Sequence, residues 1–149
     1  MESKVKVSIN KVNKEPEEVA KTVVDAAIKV HRSLGPGLLE SAYQRCLAYE
    51  LTERGLLVEC EVPIPVKYGD VSLEAGFRAD MIIENCIIIE NKTVDNVLPV
   101  HQAQMITYLK LSGIRIGFLI NWNVPLLKHG LKRFISNTPD PDWRRVDSL

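Results

Sequence analysis

The chain has 149 residues, and its 19 lysines and arginines balance 19 aspartates and glutamates, so the formal net charge is zero. That length suits one domain with a proper core, and the balance excludes a polycation that would hold nucleic acid by bulk charge alone. The N-terminus has no signal-peptide pattern, no apolar run approaches the ~20 residues that span a bilayer, and Cys46, Cys60 and Cys86, an odd set without Cys-x-x-Cys spacing, read as free buried thiols of a reducing, cytoplasmic setting rather than as a metal site.

Residues 1–15 form an N-terminal arm, either ragged or an extra edge strand. Pro16 followed by Glu17 and Glu18 is a helix start with acids in the first turn. Val19, Val23, Ala26 or Ala27, Val30 and Leu34 repeat at helical spacing until Gly35-Pro36-Gly37 ends the run. A second helix is expected from Leu38 to Arg54, stopped by Gly55. The period then changes to two. Leu57–Val62 and Ile64–Tyr68 predict one long strand broken by prolines, hence an edge. Gly69-Asp70 is a turn, residues 71–84 a second strand interrupted by Gly76, Asn85 a turn residue, and residues 86–93 a third strand. Pro99 opens a helix that Gly113 closes. Residues 114–121 predict a fourth strand and 125–136 a last short helix. The tail from 137 to 149 is expected to dock through Trp143. The order is α-α-β-β-β-α-β-α, an α/β domain with a mixed four-stranded sheet flanked by helices.

The third strand carries the chemistry. Ile87-Ile88-Ile89 reads as a strand buried on both faces, yet it runs into Glu90-Asn91-Lys92. Residues i and i+2 of a strand share a face, so Glu90 and Lys92 point the same way. A hairpin loop with an odd number of residues, centred on Asn85, would set Asp80 opposite Glu90. An even loop would set them on opposite faces, and the isoleucine blocks cannot choose. With the odd loop, two carboxylates and a lysine converge, a hard-oxygen site for Mg²⁺ or Mn²⁺ suited to phosphodiester hydrolysis. On spacing alone, a plain ion pair at a sheet end is the commoner explanation. Gln104 and Tyr108 lie four apart on one helix face, and Glu40 and Tyr43 three apart on another.

Together these residues resemble the PD-(D/E)XK nuclease superfamily, and within it the GxxExxY proteins of its RecB-like branch. The family name is spelled by Gly37-Leu38-Leu39-Glu40-Ser41-Ala42-Tyr43, and the nuclease signature by Arg78-Ala79-Asp80 and Glu90-Asn91-Lys92. Gln104 with Tyr108 looks like the helix motif, and Asn121–Lys128 like the closing segment. The resemblance covers residues 16–136. It implies a restriction-endonuclease-like core and a divalent-metal-dependent nuclease acting on DNA, with RNA second, or else a non-catalytic module of that fold binding nucleic acid or a protein. Asp80 and Glu90 would bind Mg²⁺ or Mn²⁺, with the Asn91 carbonyl completing the coordination. Lys92 would orient the attacking water, and Glu40 would hold a second metal or a water. Gln104 would bond near Lys92 or the scissile phosphate, Tyr108 would back up that helix face and reach a phosphate, and Arg78 would either contact phosphate or neutralise Glu40 or Glu90. No membrane role is implied; a homodimer or protein partner is left open. Two departures stand out: Ala79 replaces the usual proline, and Asn91 replaces an aliphatic residue.

The remaining candidates are His31, which reads more readily as a capping or surface group than as a site residue, and a basic cluster of Lys128, Lys132 and Arg133 with Arg144 and Arg145.

Overall fold

The computed structural model describes residues 14–137; the N-terminal arm and the Trp143 tail fall outside them. Helix α1 (Pro16–Leu34) starts with proline in its first turn beside Glu17 and Glu18, where fixed φ and negative charge both suit a helix N-terminus. It buries Val19, Ala20, Val23, Ala26, Ala27 and Val30. Helix α2 (Glu40–Glu53) buries Tyr43, Leu47 and Leu51. It begins two residues later than expected, and Leu39 stays exposed. Both helices cover one face of the sheet.

The sheet contains β1 (Val58–Tyr68), β2 (Val71–Ile83), β3 (Ile87–Lys92), β4 (Ile116–Asn121) and β5 (Leu131–Ile135), in that spatial order. The β3–β4 pair is parallel and the other pairs antiparallel. The parallel pair needs a crossover, supplied by helix α3 (Pro99–Ser112) on the opposite face. Two cores result. One joins α1 and α2 to Met81, Ile83, Ile87, Ile89, Phe118 and Trp122. The other joins α3, through Met105 and Leu109, to Ile64, Ala79, Ile82 and Ile88.

One expected element is wrong. Residues 125–136 are not a helix but a single 3₁₀ turn (Leu127–His129) followed by β5, so the sheet has five strands rather than four. Gly130 explains the difference. A Cβ there would meet the Asn121 carbonyl oxygen at 2.1 Å, and that residue's N–H donates to the Gly130 carbonyl at 2.7 Å. The chain therefore folds back tightly on the end of β4, and Leu131 to Ile135, with Leu131 and Phe134 half-buried, forms an edge strand.

The cysteines are free, as expected, but none is fully buried: Cys60 is exposed, Cys46 and Cys86 half-buried. Burial pushes the Cys86 thiol up to about 11, with Glu84 adding to the effect, which keeps it a weak nucleophile. Among the described residues no helix is long and apolar enough to cross a membrane.

Candidate active site

The β2–β3 hairpin sets the geometry. Glu84 and Asn85 have φ of 50° and 55°, the left-handed values that a type I′ turn needs at both central positions. The Cys86 N–H closes the turn on the Ile83 carbonyl. Glu84 tolerates this position while its carboxylate accepts the Leu57 N–H at 2.7 Å. Cys86 adds a third loop residue after this turn, so Ile83 faces Ile87, Ile82 faces Ile88 and Met81 faces Ile89. The loop is odd, and Asp80 falls across from Glu90. Glu90 shares the face of Ile88, toward α3.

Beyond the Met81–Ile89 pair, the backbone ladder gives way to side chains. The Asp80 N–H donates to Glu90 Oε2 at 2.9 Å, and the Asn91 N–H donates to Asp80 Oδ2 at 2.8 Å. Each carboxylate thus spends one oxygen on the opposite backbone. No buried side-chain nitrogen or oxygen among the described residues lacks a partner, so the second oxygen of each opens to solvent.

Glu90 is only 7% exposed. Burial, reinforced by the negative charge of Asp80, pushes its carboxyl up to about 8. Asp80 is also raised, chiefly by burial, even though the Asn91 N–H favours its charged form. Glu40, at the start of α2, is raised by burial and then by Asp80, which brings its charge to the same end of the sheet. The ion pair that spacing favours does not form. The ion pairs among the described residues are Lys14–Glu84, Lys29–Glu50, Arg54–Glu50 and Arg133–Glu17, and Lys92 belongs to none. Nor, among the described residues, is any group of three or more His, Cys, Asp or Glu side chains placed to hold a metal ion.

Of the helix residues, Tyr108 joins the site. It stacks on Phe77 with ring centres 4.1 Å apart, and its phenol is raised by burial and then by Glu90 and Asp80. Gln104 is exposed, lines a pocket with Phe77 and Tyr108, and makes no side-chain hydrogen bond among the described residues. Arg78 is exposed on the strand edge of the site.

The sequence reading did not foresee what holds this end of β3 from behind. Asn91 is fully buried on the α1–α2 face. Its Nδ2 donates to Gln44 Oε1 at 3.1 Å, and its Oδ1 accepts the Trp122 indole N–H at 2.9 Å. Trp122 stacks on Tyr43 with ring centres 4.8 Å apart, and the Tyr43 hydroxyl donates to the Gly35 carbonyl. Gln44 in turn donates to Glu61 at 2.8 Å. Glu61 lies between the Cys60–Met81 and Val62–Ala79 pairs, hence across from Asp80, and has a left-handed φ of 54°. Its charge is one of those raising Asp80 and Glu40. The only sequence signal for this network was the polar Asn91 in an apolar strand. His31 is likewise no surface group: it is 5% exposed, with Nε2 3.2 Å from the Trp122 carbonyl oxygen. The basic cluster is dispersed, since Arg133 pairs with Glu17 and Lys132 donates to Gln102, while Arg144 and Arg145 lie outside the described residues.

A family model of the PD-(D/E)XK nuclease superfamily matches residues 17–134. A solved structure described as the crystal structure of SSO0001 is 20% identical, covers 97% of this chain and 78% of its own, and superposes with a TM-score of 0.38. No curated protein gives a match.

Proposed function

Taking as premise that the chain belongs to the PD-(D/E)XK nuclease superfamily, we propose that it is a divalent-metal-dependent nuclease of the GxxExxY type that hydrolyses phosphodiester bonds, in DNA before RNA. One observation carries the reading: Glu90 is buried beside Asp80 with its carboxyl pushed up to about 8 and no cation paired to it. A buried carboxylate needs a proton, a partner or a metal ion. The free oxygens of Asp80 and Glu90 and the Asn91 carbonyl fit a hard cation that keeps several of its waters, as Mg²⁺ and Mn²⁺ do. Such an ion supplies Lewis acidity at the phosphate.

The chain's own groups do the rest. Lys92, free of any ion pair, donates to the attacking water or to a phosphate oxygen where negative charge grows. Glu40 borders Asp80 and Lys92 and holds a water on the helix side. Arg78 and Tyr108 contact the phosphate backbone. Purified protein with Mg²⁺ or Mn²⁺ is expected to cut plasmid DNA, and Glu90→Ala and Lys92→Ala to abolish cutting. No cleavage of DNA or RNA by the wild type, or full activity in both variants, contradicts the reading. The position of Gln104, exposed and unbonded, favours the competing reading, a non-catalytic module of the same fold that binds nucleic acid or a protein.

A further inference from the structure

A second feature lies at the same end of the sheet, behind the acidic centre. The C-terminal turn of α1 and the 3₁₀ turn at Leu127–His129 enclose a cavity of about 460 Å³, lined by His31, Arg32 and Lys128 with Ile28, Pro125 and Leu127 among the apolar walls. That volume suits a nucleotide-sized group. No carboxylate lines it. Neither Arg32 nor Lys128 joins any of the ion pairs or hydrogen bonds among the described residues.

His31 adds an independent sign. A carbonyl oxygen can only accept, so its contact with the Trp122 carbonyl puts the ring hydrogen on Nε2. Nδ1 then makes no hydrogen bond among the described residues, and since no buried polar side-chain atom there lacks a partner it is open at the cavity wall, where it can only accept. Arg32 alone would be explained as a cation placed at a helix C-terminus. That account does not cover Lys128, a second cation on the same cavity.

The placement links cavity and carboxylates. Trp122, whose carbonyl holds His31, donates its N–H to the Lys92 carbonyl at 2.9 Å, so the cavity rim adjoins the strand end that bears Glu90 and Lys92. On the other side, the loop from Gly35 runs directly into Glu40. An acidic centre of Asp80, Glu90, Glu40 and Glu61 repels phosphates. A chain with zero net charge needs a local cationic anchor to keep a polyanion there.

We propose that this cavity is a phosphate-binding subsite that anchors the nucleic-acid strand beside the carboxylates, with Arg32 and Lys128 on phosphate oxygens and His31 Nδ1 on the same nucleotide. The proposal takes its ligand from the nuclease reading. The test is fluorescence anisotropy of the full chain in EDTA with a fluorescein-labelled single strand and the matching duplex. The variants are Arg32→Ala, Lys128→Ala and, as a control cation elsewhere on α1, Lys21→Ala. Arg32→Ala and Lys128→Ala are expected each to weaken binding about tenfold, and to flatten the slope of log affinity against log salt by about 0.7 for a single strand; Lys21→Ala changes neither. Affinities and slopes equal to wild type in both variants overturn the proposal. So does absence of strand binding by the wild type, or an Arg32-dependent thermal shift with inorganic phosphate unaccompanied by an effect on the strand. If both variants weaken binding while the wild type cuts nothing with Mg²⁺, the subsite stands and the nuclease reading falls.

Discussion

Glu90 and Asn91 are neighbours on one strand, nearly equally buried, and opposite in condition. Asn91 faces α1 and α2, and both ends of its amide are bonded, to Gln44 and Trp122. Glu90 faces α3 with one oxygen on the Asp80 N–H, a second carboxylate opposite, and no ion pair, the charge of Lys92 offsetting only part of the cost of burial. Both are polar groups in a core, so burial alone does not mark function. What separates them is satisfaction: a buried amide with its partners is scaffold, whereas a buried charge with an unmet demand marks a site that another group is to complete.

The contrast can be tested by removing each member. Glu90→Gln removes the charge but keeps the shape. It is expected to lower nuclease activity by at least ~10²-fold while raising the melting temperature in EDTA at neutral pH, because an amide, unlike the buried carboxyl, need take up no proton on folding. A variant that is both less active and less stable would make Glu90 scaffold after all. Asn91→Leu should act in the reverse sense. It leaves the Trp122 indole N–H and the Gln44 amide oxygen without their Asn91 partner, which costs about 1–3 kcal/mol in urea denaturation, and activity should fall less than in Glu90→Gln. The pH dependence gives the finest test. The folded-state carboxyl of Glu90 is raised from 4.5 to about 8, so between those values the folded protein holds a proton that the unfolded chain has released. Metal-free stability is therefore fullest below the unfolded value and declines as pH rises toward about 8. Binding of a cation displaces that proton, so affinity for Mn²⁺ should rise about tenfold per pH unit below the folded-state pKa. Thermal melts in EDTA and titrations at several pH values check both signs.

Much of this was legible in the sequence. The helix punctuation at Pro16, Gly55, Pro99 and Gly113, the edge position of the proline-bearing β1, and the grouping of Asp80, Glu90 and Lys92 on one strand pair were all readable. The register was not. Strands with a packed core on each face, one through Ile82 and Ile88 and the other through Ile83 and Ile87, carry no alternation to fix which face is which. The three-residue loop from Glu84 to Cys86 decided it. The last strand was misread because Leu127, Leu131 and Phe134 fall at helical spacing; Gly130, in the middle of that run, was the contrary signal. His31 and Gln44 were out of reach because their partners are distant in sequence and a lone polar residue on a helix gives no hint of them. Gln104 shows the opposite limit, since a motif position can match while the side chain makes no hydrogen bond among the described residues.

The central claim is that Asp80 and Glu90 together form a cation site. Calorimetric titration of the full chain with Mn²⁺, beside Asp80→Asn, tests it directly. The account predicts one tightly bound cation per chain in the wild type and its loss in the variant. No binding by the wild type, or equal binding by Asp80→Asn, would contradict it.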